Sequence, residues 1–255
     1  MFEKFKKNQF LFEELVKRDF NKKYKKTALG VAWSLLSPLL TLLIMKLVFT
    51  TLFGISIPNY TTFLFAGNLV FTFFVETTNS GMSSFIENSG IFTKVNVPKY
   101  LFLFSKTVSS LINFAIILAI FFIFVALDGI EFSWMFLLIV FPIVCLTLFN
   151  LGVSFMLSSA YIFFKDMLYL WNLFTFALSY LSGIFYNVDI FPKEYQHLFL
   201  YNPLYIYIYY IRSLVIDAKF PDPIYTYLAI GYALVSLFLG CLIYVKNNKK
   251  FLYYV

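Results

Sequence analysis

Charged side chains are scarce in this chain of 255 residues: only 13% are Asp, Glu, Lys or Arg, whereas 61% are hydrophobic and 22% are aromatic. About a quarter of the residues of a soluble domain are charged, so this composition excludes an ordinary soluble protein. Uncharged runs such as residues 133–164 would have no water-facing side in so small a globule. The sequence therefore predicts an integral membrane protein.

Cysteine and histidine are also nearly absent, which excludes several kinds of chemistry. Cys145 and Cys241 both lie in apolar runs, so they supply neither a disulfide framework nor a zinc site. No glycine directly precedes a lysine, as a phosphate-binding P-loop requires, and His197 is the only histidine. We therefore expect no catalytic residue, no metal and no other cofactor on this chain. The excess of basic residues predicts membrane orientation rather than nucleic-acid binding.

Six stretches are long and apolar enough to cross a bilayer, which requires about 20 residues at about 1.5 Å each. Their continuous apolar character lacks the alternation of a barrel strand and predicts helices. The sequence therefore predicts an all-α membrane protein, with six transmembrane helices in a domain of residues 28–255. The predicted spans are Gly30–Phe53, Thr61–Phe85, Thr107–Leu127, Ser133–Phe163, Met167–Val188 and Ile224–Val245.

The lysines and arginines predict the orientation of these spans, because cytoplasmic flanks accumulate both residue types. With six spans, 16 of the 20 lysines and arginines fall on the side of the N-terminus. Lys193, Arg212 and Lys219 fall on the other side, and Lys46 lies within the first span. The sequence thus predicts that both termini are cytoplasmic.

Three segments outside the spans have distinctive patterns. Residues 1–27 carry Phe12, Val16, Phe20 and Tyr24 at every fourth position among lysines, which predicts an amphipathic helix in the membrane interface. A basic tail that only fixes topology is the alternative. Residues 86–99 form an inward loop of mixed polarity that suits docking onto another protein, with a short helix available before Pro98. The outward residues 189–222 are aromatic-rich and predict short helices that dip into the outer leaflet.

Two sets of residues are candidates for function within or near the membrane. Lys46 and Glu76 lie inside spans, where a charge costs at least about 2.5–3.5 kcal/mol, so each is a functional candidate unless it snorkels or is neutralised. Ten of the 19 tyrosines lie between residues 180 and 227. They form either an ordinary interfacial belt or a surface whose rings and hydroxyls contact sugars. The candidate contact residues are Tyr180, Tyr186, Tyr201, Tyr205 and Tyr209.

Four parts of the sequence together resemble a known family, the permease subunits of ABC transporters that export O-antigen, teichoic acid or related cell-surface polysaccharides. Residues 18–39, RDFNKKYKKTALGVAWSLLSPL, resemble the opening of these permeases, and NSG at 79–81 with IFTKVNVPK at 91–99 resembles their second span and coupling region. FFKD at 163–166 and YNPL at 201–204 with YIR at 210–212 resemble two further motifs. The sequence departs from the family at Lys165, where arginine is usual, and at Ile211, which separates Tyr210 from Arg212.

The resemblance implies a transport subunit in the cytoplasmic membrane of a bacterium, not an enzyme. It implies a homodimer with two separate ATP-binding subunits, which hold ATP and magnesium, and a lipid-linked polysaccharide that passes between the two copies amid membrane lipid. Residues 189–217 would hold the gate helices. The residues that would couple the chain to the ATPase are Glu87, Asn88, Phe92, Lys94, Val95, Pro98, Lys165 and Asp166.

Three alternatives remain open from the sequence. A related ABC permease could export a drug, a peptide or a lipid, although the aromatic outward segment disfavours this. A membrane glycosyltransferase and an assembly scaffold are the other two. Neither of these depends on a separate ATPase, so a neighbouring gene for such a protein would distinguish them from a transporter.

Overall fold

A computed structural model describes residues 8–24, 30, 32–52, 54 and 57–254. Every regular element in these ranges is helical, and they contain no strand. This confirms the predicted all-α class.

The described ranges contain eleven α-helices, three 3₁₀ helices and one π-helical segment. The α-helices are α1 (Gln9–Tyr24), α2 (Ala32–Leu47), α3 (Tyr60–Glu87), α4 (Ser89–Phe92), α5 (Tyr100–Leu127), α6 (Val140–Phe163), α7 (Met167–Leu181), α8 (Lys193–Gln196), α9 (Pro203–Val215), α10 (Pro223–Asn247) and α11 (Phe251–Tyr254). The 3₁₀ helices are Trp134–Ile139, Val188–Ile190 and His197–Tyr201, and the π-helical segment is Val48–Leu52.

Within the described ranges, three helices are long and apolar enough to cross a membrane: Tyr100–Leu127, Trp134–Phe163 and Pro223–Asn247. Leu36–Thr51 and Met167–Leu181 are shorter apolar helices. Helix α3 has 28 residues, and at about 1.5 Å per residue it is long enough to cross, but it carries Glu76 and several small polar side chains. The number of six spans therefore stays a prediction.

Two predicted spans have different limits in the structure. The fifth was predicted to extend to Val188, but α7 ends at Leu181 because Gly183 adopts a φ of 64°, a left-handed conformation that glycine accepts at little cost. The third was predicted to begin at Thr107, yet α5 begins at Tyr100, directly after Pro98 and Lys99. The short helix expected before Pro98 is present as α4.

Helix α6 lies at the centre of the bundle, where small residues bring its backbone close to those of α3 and α10. A Cβ atom added to Gly152 would overlap the backbone carbonyl carbon of Ser236. A Cβ atom added to Gly81 would lie 2.5 Å from the Cβ atom of Ser154. Because lipid is as apolar as the helices, close backbone packing of this kind drives helix association in membranes.

The two ends of the bundle are named outward and inward after the orientation that the lysines and arginines predict. The outward end of α3 is stabilised by a residue from another helix. The N-cap residue Asn59 makes no side-chain capping bond. Instead, the Asp128 carboxylate at the end of α5 accepts a 2.9 Å hydrogen bond from the Thr62 backbone N–H and a 2.7 Å bond from the Thr62 hydroxyl. A carboxylate at a helix N-terminus accepts hydrogen bonds from free N–H groups, and its negative charge interacts favourably with the helix dipole. Because Asp128 lies at the end of α5, these interactions fix α3 to α5.

Helices α2 and α7 leave much of their apolar surface uncovered. Thr175 is the only buried residue of α7, and Leu173, Phe174 and Phe176 are all more than half exposed. On α2, Leu43 and Ile44 are also more than half exposed. Contiguous apolar surface of this size requires either lipid or another protein surface to cover it.

Candidate coupling surface and outward cavity

A buried carboxylate fastens α1 to the inward end of the bundle. The Asp19 side chain is 2% exposed, and its Oδ1 atom lies 2.7 Å from Arg18 Nη2 and 3.4 Å from Lys106 Nζ. Ser105 donates a further hydrogen bond of 3.3 Å to Oδ2. A buried charge needs such partners to offset its loss of hydration. Asp19 interrupts the apolar face of α1 in the sequence because it binds α5 rather than lipid.

Glu87 extends this network to the end of α3, two residues beyond the predicted second span. Its Oε2 atom lies 3.1 Å from both Lys22 Nζ and Lys106 Nζ, and its Oε1 atom accepts a 2.6 Å bond from the Ser83 hydroxyl. Partial burial alone would raise the pKa of Glu87, but the Ser83 hydroxyl and the two ammonium groups outweigh it and lower the pKa to about 2. Glu87 is therefore ionised at neutral pH and links α1, α3 and α5.

Asn88, at the start of the inward loop, is also tied to α1. Its side chain is almost fully buried, its Oδ1 atom accepts a 2.8 Å bond from Arg18 Nη2, and its Nδ2 atom donates to the Ser84 carbonyl. Phe92, at the end of α4, is buried against Phe102. These contacts hold the inward loop rigidly on the bundle.

The loop residues after α4 point away from the bundle. Residues 93–96 are all exposed, including Lys94 and Val95, whose side chain is 55% exposed. Pro98 ends the loop, and its carbonyl accepts a hydrogen bond from Leu101 in the first turn of α5. The predicted coupling residues thus divide into two groups. Glu87, Asn88 and Phe92 hold the loop, whereas Lys94 and Val95 are free for contact with a partner.

The other predicted coupling residues, Lys165 and Asp166, lie in an exposed turn between α6 and α7. The neighbouring Phe163 ring packs against Phe251 and Tyr254 of α11 at centroid distances of 6.1 and 4.9 Å. Phe251 is fully buried and also contacts Phe85 at the end of α3. The inward turn and the C-terminal helix therefore share one surface.

Lys99 connects this surface to the inward loop. Its ammonium group donates a 2.7 Å bond to the Asn248 carbonyl and lies 5.5 Å from the Phe92 ring centroid and 5.6 Å from that of Phe251. From the sequence, Lys99 is only a cation for the orientation and the last residue of a family motif, Lys106 is only a cation for the orientation, and Phe251 has no role. Their partners lie up to 149 residues away in the chain, and no local pattern indicates such pairs.

The two predicted intramembrane charges have different hydrogen-bond partners. Lys46 donates a 2.6 Å bond to the Thr61 hydroxyl, whereas Glu76 accepts a 2.8 Å bond from Asn113 Nδ2. Glu76 also lines a cleft of about 430 Å³ between α3 and α5, which reaches the inward ion network. Asn79, Ser80, Glu87, Lys106, Ser109 and Ser110 are among the other lining residues. A functional role for Lys46 and Glu76 stays a prediction.

On the outward side, the Asn-Pro-Leu motif starts α9 and joins it to the end of α7. The Asn202 side chain accepts a 3.0 Å bond from the Leu204 N–H, and Pro203 occupies the first helical position, where no N–H is needed. The Asn202 amide also donates 3.1 and 3.0 Å bonds to the Leu181 carbonyl and the Ser182 hydroxyl. The motif therefore sets the direction of α9 within the outward segment.

Arg212, near the end of α9, is a buried cation held by backbone carbonyls. Nε and Nη2 donate to the Phe63 carbonyl at 3.2 and 3.0 Å, Nη1 donates to Gly183 at 2.7 Å, and Nη2 also donates to Ile184 at 2.8 Å. The guanidinium lies 3.4 Å from the Phe63 ring centroid. Arg212 thus joins α9, α3 and the turn after α7, because a planar fork can bind several acceptors at once.

The space for this guanidinium depends on Gly67. A Cβ atom there would lie 2.8 Å from Arg212 Nη2 and 3.2 Å from the Ile184 Cα atom. Sequence reasoning recorded Arg212 only as an outward cation and the end of a family motif. The carbonyls that bind it come from distant segments, so no local pattern in the sequence indicates the clamp.

Above Arg212 lies a cavity of about 540 Å³ between the outward segment and the start of α3. Tyr205 and Tyr209, two of the predicted contact tyrosines, line it. Tyr209 also stacks on Tyr225 with a centroid distance of 4.1 Å. Further lining residues with polar side chains are Asn187, Asp189, Gln196, His197 and Asp217.

The other three predicted tyrosines lie elsewhere. Tyr180 on α7 is 52% exposed, and its carbonyl accepts a 2.6 Å bond from the Tyr186 hydroxyl. Tyr201 is 74% exposed and lines a separate, mainly apolar cavity with Phe174 and Leu178. The structure therefore brings only Tyr205 and Tyr209 together at one cavity. Whether any of the five contacts a transported molecule stays a prediction.

No group of three or more His, Cys, Asp or Glu side chains that could hold a metal ion occurs in the part of the chain that the structure describes. The two cysteines are not paired: Cys145 is buried and Cys241 is exposed. The ionisable groups of the described bundle form structural networks at its two ends and the polar cleft between α3 and α5. The long apolar helices of the described bundle, with an exposed surface at one end and a cavity at the other, define a multi-helix membrane protein.

The comparison with known sequences identifies the family. Residues 11–216 match the family described as ABC-2 type transporter, and the chain belongs to this family. It is 27% identical over 251 residues to the O-antigen export system permease protein RfbA of Klebsiella pneumoniae, with 95% of each chain covered. It is 23% identical over 246 residues to the polysialic acid transport protein KpsM of Escherichia coli, with 94% of each covered. The Myxococcus xanthus RfbA permease is 29% identical over 62% of this chain and 60% of its own length.

Proposed function

We propose that this chain is the membrane subunit of an ATP-driven exporter of a lipid-linked cell-surface polysaccharide. Its relatives in three genera carry names that refer to O-antigen export or polysialic acid transport. The observation that carries the proposal is the pairing of this family match with an exposed, rigidly held inward loop. Teichoic acid and capsule-type polymers belong to the same class of substrate. Family membership supports transport over the glycosyltransferase and scaffold alternatives.

ATP hydrolysis takes place on separate subunits in this proposal. No glycine of the sequence precedes a lysine, so the chain lacks the pair that a P-loop needs. Two ATP-binding subunits, which hold ATP and magnesium, dock on the inward surface. Lys94 and Val95 contact them directly, and Lys165 with Asp166 forms a second contact. The chain is then a transport subunit and not itself an enzyme.

The working unit is a homodimer in the cytoplasmic membrane of a bacterium, with both termini in the cytoplasm. The uncovered apolar faces of α2 and α7 supply surfaces for a second copy or for lipid. The polymer passes between the two copies, and the outward segment of residues 189–222 acts as its gate. In this proposal the predicted domain of residues 28–255 spans the membrane, and α1 lies along its inner surface. The remainder of the predicted interfacial helix, in residues 1–7 and 25–27, lies outside the described residues.

Coupling follows from the contacts of the inward loop. When ATP draws the two ATP-binding subunits together, they press on α4 and residues 93–96. Asn88 and Glu87 pass this displacement to α1 through Arg18 and Lys22, and to α5 through Lys106. Movement of α1, α3 and α5 as one body then shifts the populations of closed and open bundles.

The test is co-purification with the product of the neighbouring ATPase gene, followed by ATPase measurements with Lys94→Glu. Lys94 is exposed and makes no contact that holds the loop, so we expect an intact fold but a complex at least about fivefold weaker. A reversed charge at an interface costs on the order of 1–3 kcal/mol. Lys17→Glu, which reverses an exposed charge on α1, is the matched control and should bind normally. Equal binding by both variants would contradict the proposed docking surface.

A further inference from the structure

We propose that the outward cavity above Arg212 binds a neutral saccharide unit of the exported polymer, separately in each copy of the chain. This inference rests on the proposed export function. It assigns recognition to a pocket within one copy, in addition to the passage between two copies. The pocket has a buried floor and an exposed rim, and each part matches a different feature of a sugar.

The floor and wall of the cavity are aromatic. Tyr205 is 7% exposed at the floor and packs against Tyr209 at a centroid distance of 6.0 Å, and Tyr209 stacks on Tyr225. Tyrosine rings combine an apolar face with a hydroxyl group. Sugar rings present C–H groups on their faces and hydroxyls at their edges, so the two surfaces are complementary.

The rim of the cavity is rich in hydrogen-bonding groups. Asp189, Asp217, Asn187 and His197 are all exposed lining residues, and Asn187 Nδ2 donates a 2.9 Å bond to Asp189. Carboxylates accept hydrogen bonds from hydroxyl donors, and amide side chains both donate and accept. A few polar groups around an apolar floor are the usual arrangement of a small-molecule site.

The charges of the cavity favour a neutral ligand over an anionic one. Arg212 contributes a positive charge to the cavity lining. Its bonds to the Phe63, Gly183 and Ile184 carbonyls use four of its five N–H donors, so one donor remains for a ligand. Asp189 and Asp217 place two carboxylates at the rim. Burial raises the pKa of Asp217, the charge of Lys219 opposes this rise, and the charge of Asp189 adds a smaller one. A phosphate or carboxylate ligand would meet like charge here.

The size of the cavity also fits this assignment. Its volume of about 540 Å³ lies within the range of about 300–1,000 Å³ typical of small-molecule sites. It has room for a short saccharide but not for a folded polymer. A weak site of this kind would hold each emerging segment briefly and bias the direction of movement.

The test is saturation-transfer NMR on the purified transporter with its ATP-binding subunits in nanodiscs. The neutral probes are maltotetraose, cellotetraose, mannotetraose and the N-acetylglucosamine tetramer, and the anionic probe is a galacturonate tetramer. We expect at least one neutral probe to bind and the galacturonate to bind more weakly. Tyr209→Leu and Asp217→Asn should each weaken binding by about three- to tenfold, because one stacking contact or charged hydrogen bond is lost.

Matched controls are Tyr227→Leu, an exposed tyrosine on α10, and Glu131→Gln, an exposed acid in another outward loop. Both should bind the probe as the unmodified chain does. The inference is overturned if no neutral probe binds, if galacturonate binds more tightly, or if cavity and control variants bind equally. If cells still require the chain to export their surface polymer, only the inference has failed. If they do not, the proposed function has failed.

Discussion

Two buried charges at opposite ends of the bundle are stabilised in different ways. Asp19 is surrounded by opposite charge from Arg18 and Lys106. Arg212 is instead surrounded by the backbone carbonyls of Phe63, Gly183 and Ile184, which accept its hydrogen bonds. A carboxylate clamp tolerates movement of long lysine side chains, whereas a carbonyl clamp requires the bound backbone segments to lie within reach of the guanidinium. Arg212 therefore fixes α9 against α3 and the turn after α7, in addition to the contacts of Asn202.

Arg212→Gln should destabilise the outward segment strongly. The change removes most of the hydrogen bonds to Phe63, Gly183 and Ile184, and each bond to a charged donor contributes about 1.5–3 kcal/mol. We expect a lower thermal unfolding midpoint in detergent and faster amide exchange at residues 183–187. Lys193→Gln removes an exposed outward cation and should change neither quantity.

Two further variants separate geometry from charge at this clamp. Arg212→Lys keeps the positive charge but cannot reach all three carbonyls, so it should behave like Arg212→Gln. Gly67→Ala keeps the arginine and displaces its Nη2 atom, so it should produce a milder form of the same defect. Full stability of all three variants would show that the clamp is not needed.

At the scale of the helices, the close packing of α6 makes it the element most sensitive to added volume. Gly152→Ala should reduce the free energy of unfolding by about 1–3 kcal/mol, because the new methyl group overlaps the α10 backbone. The measurement is thermal unfolding of the purified protein. Gly231→Ala on α10 is the control, since a Cβ atom there meets nothing within 4 Å and alanine favours a helix by about 0.5–1 kcal/mol over glycine. Equal midpoints for the two variants would contradict this packing.

The sequence predicted helices well where apolar runs were long and continuous. The predicted sixth span and α10 agree within two residues at each end. Pro223 marks the start of the helix, and Lys246 in the last turn marks the end of the apolar run. It failed at the end of α7, where a single glycine conformation stops the helix inside an apolar run. Hydropathy measures preference for lipid and contains no information on backbone turns.

The candidate site was predictable only in part. The inward loop and the outward aromatic segment were identified as segments, because their composition differs from that of the spans. The contacts of Asp19 with Ser105, of Glu76 with Asn113 and of Arg212 with Phe63 were not identified, since the two residues of each pair lie far apart in the sequence. Pairing of side chains depends on how helices pack, which no local pattern shows.

At the scale of the whole molecule, the inward surface and the outward cavity lie at opposite ends of the same helices. Helices α3 and α5 each have 28 residues, so each extends about 42 Å at about 1.5 Å per residue. The inward network holds their inward ends, and Asp128 and Arg212 hold the outward ends. A displacement at α4 would therefore reach the outward segment through rigid helices.

A second copy should cover the apolar face of α7. A cysteine introduced at Leu173, which is 68% exposed, should cross-link two copies in membranes when Cys241 is replaced by serine. Val245→Cys on α10 is 71% exposed in the same background and should not cross-link, because lipid covers that face. Cross-linking at both positions, or at Val245 alone, would contradict a dimer formed through α7.

The most direct test of the account is the position of the surface polysaccharide in cells from which this chain has been removed. The account predicts that the lipid-linked polymer accumulates in the cytoplasm and that the unmodified chain restores it to the cell surface, whereas Lys94→Glu does not. Labelling of intact and opened cells with a lectin or antibody against the polymer measures both pools. A normal amount of polymer at the surface without this chain would contradict the account.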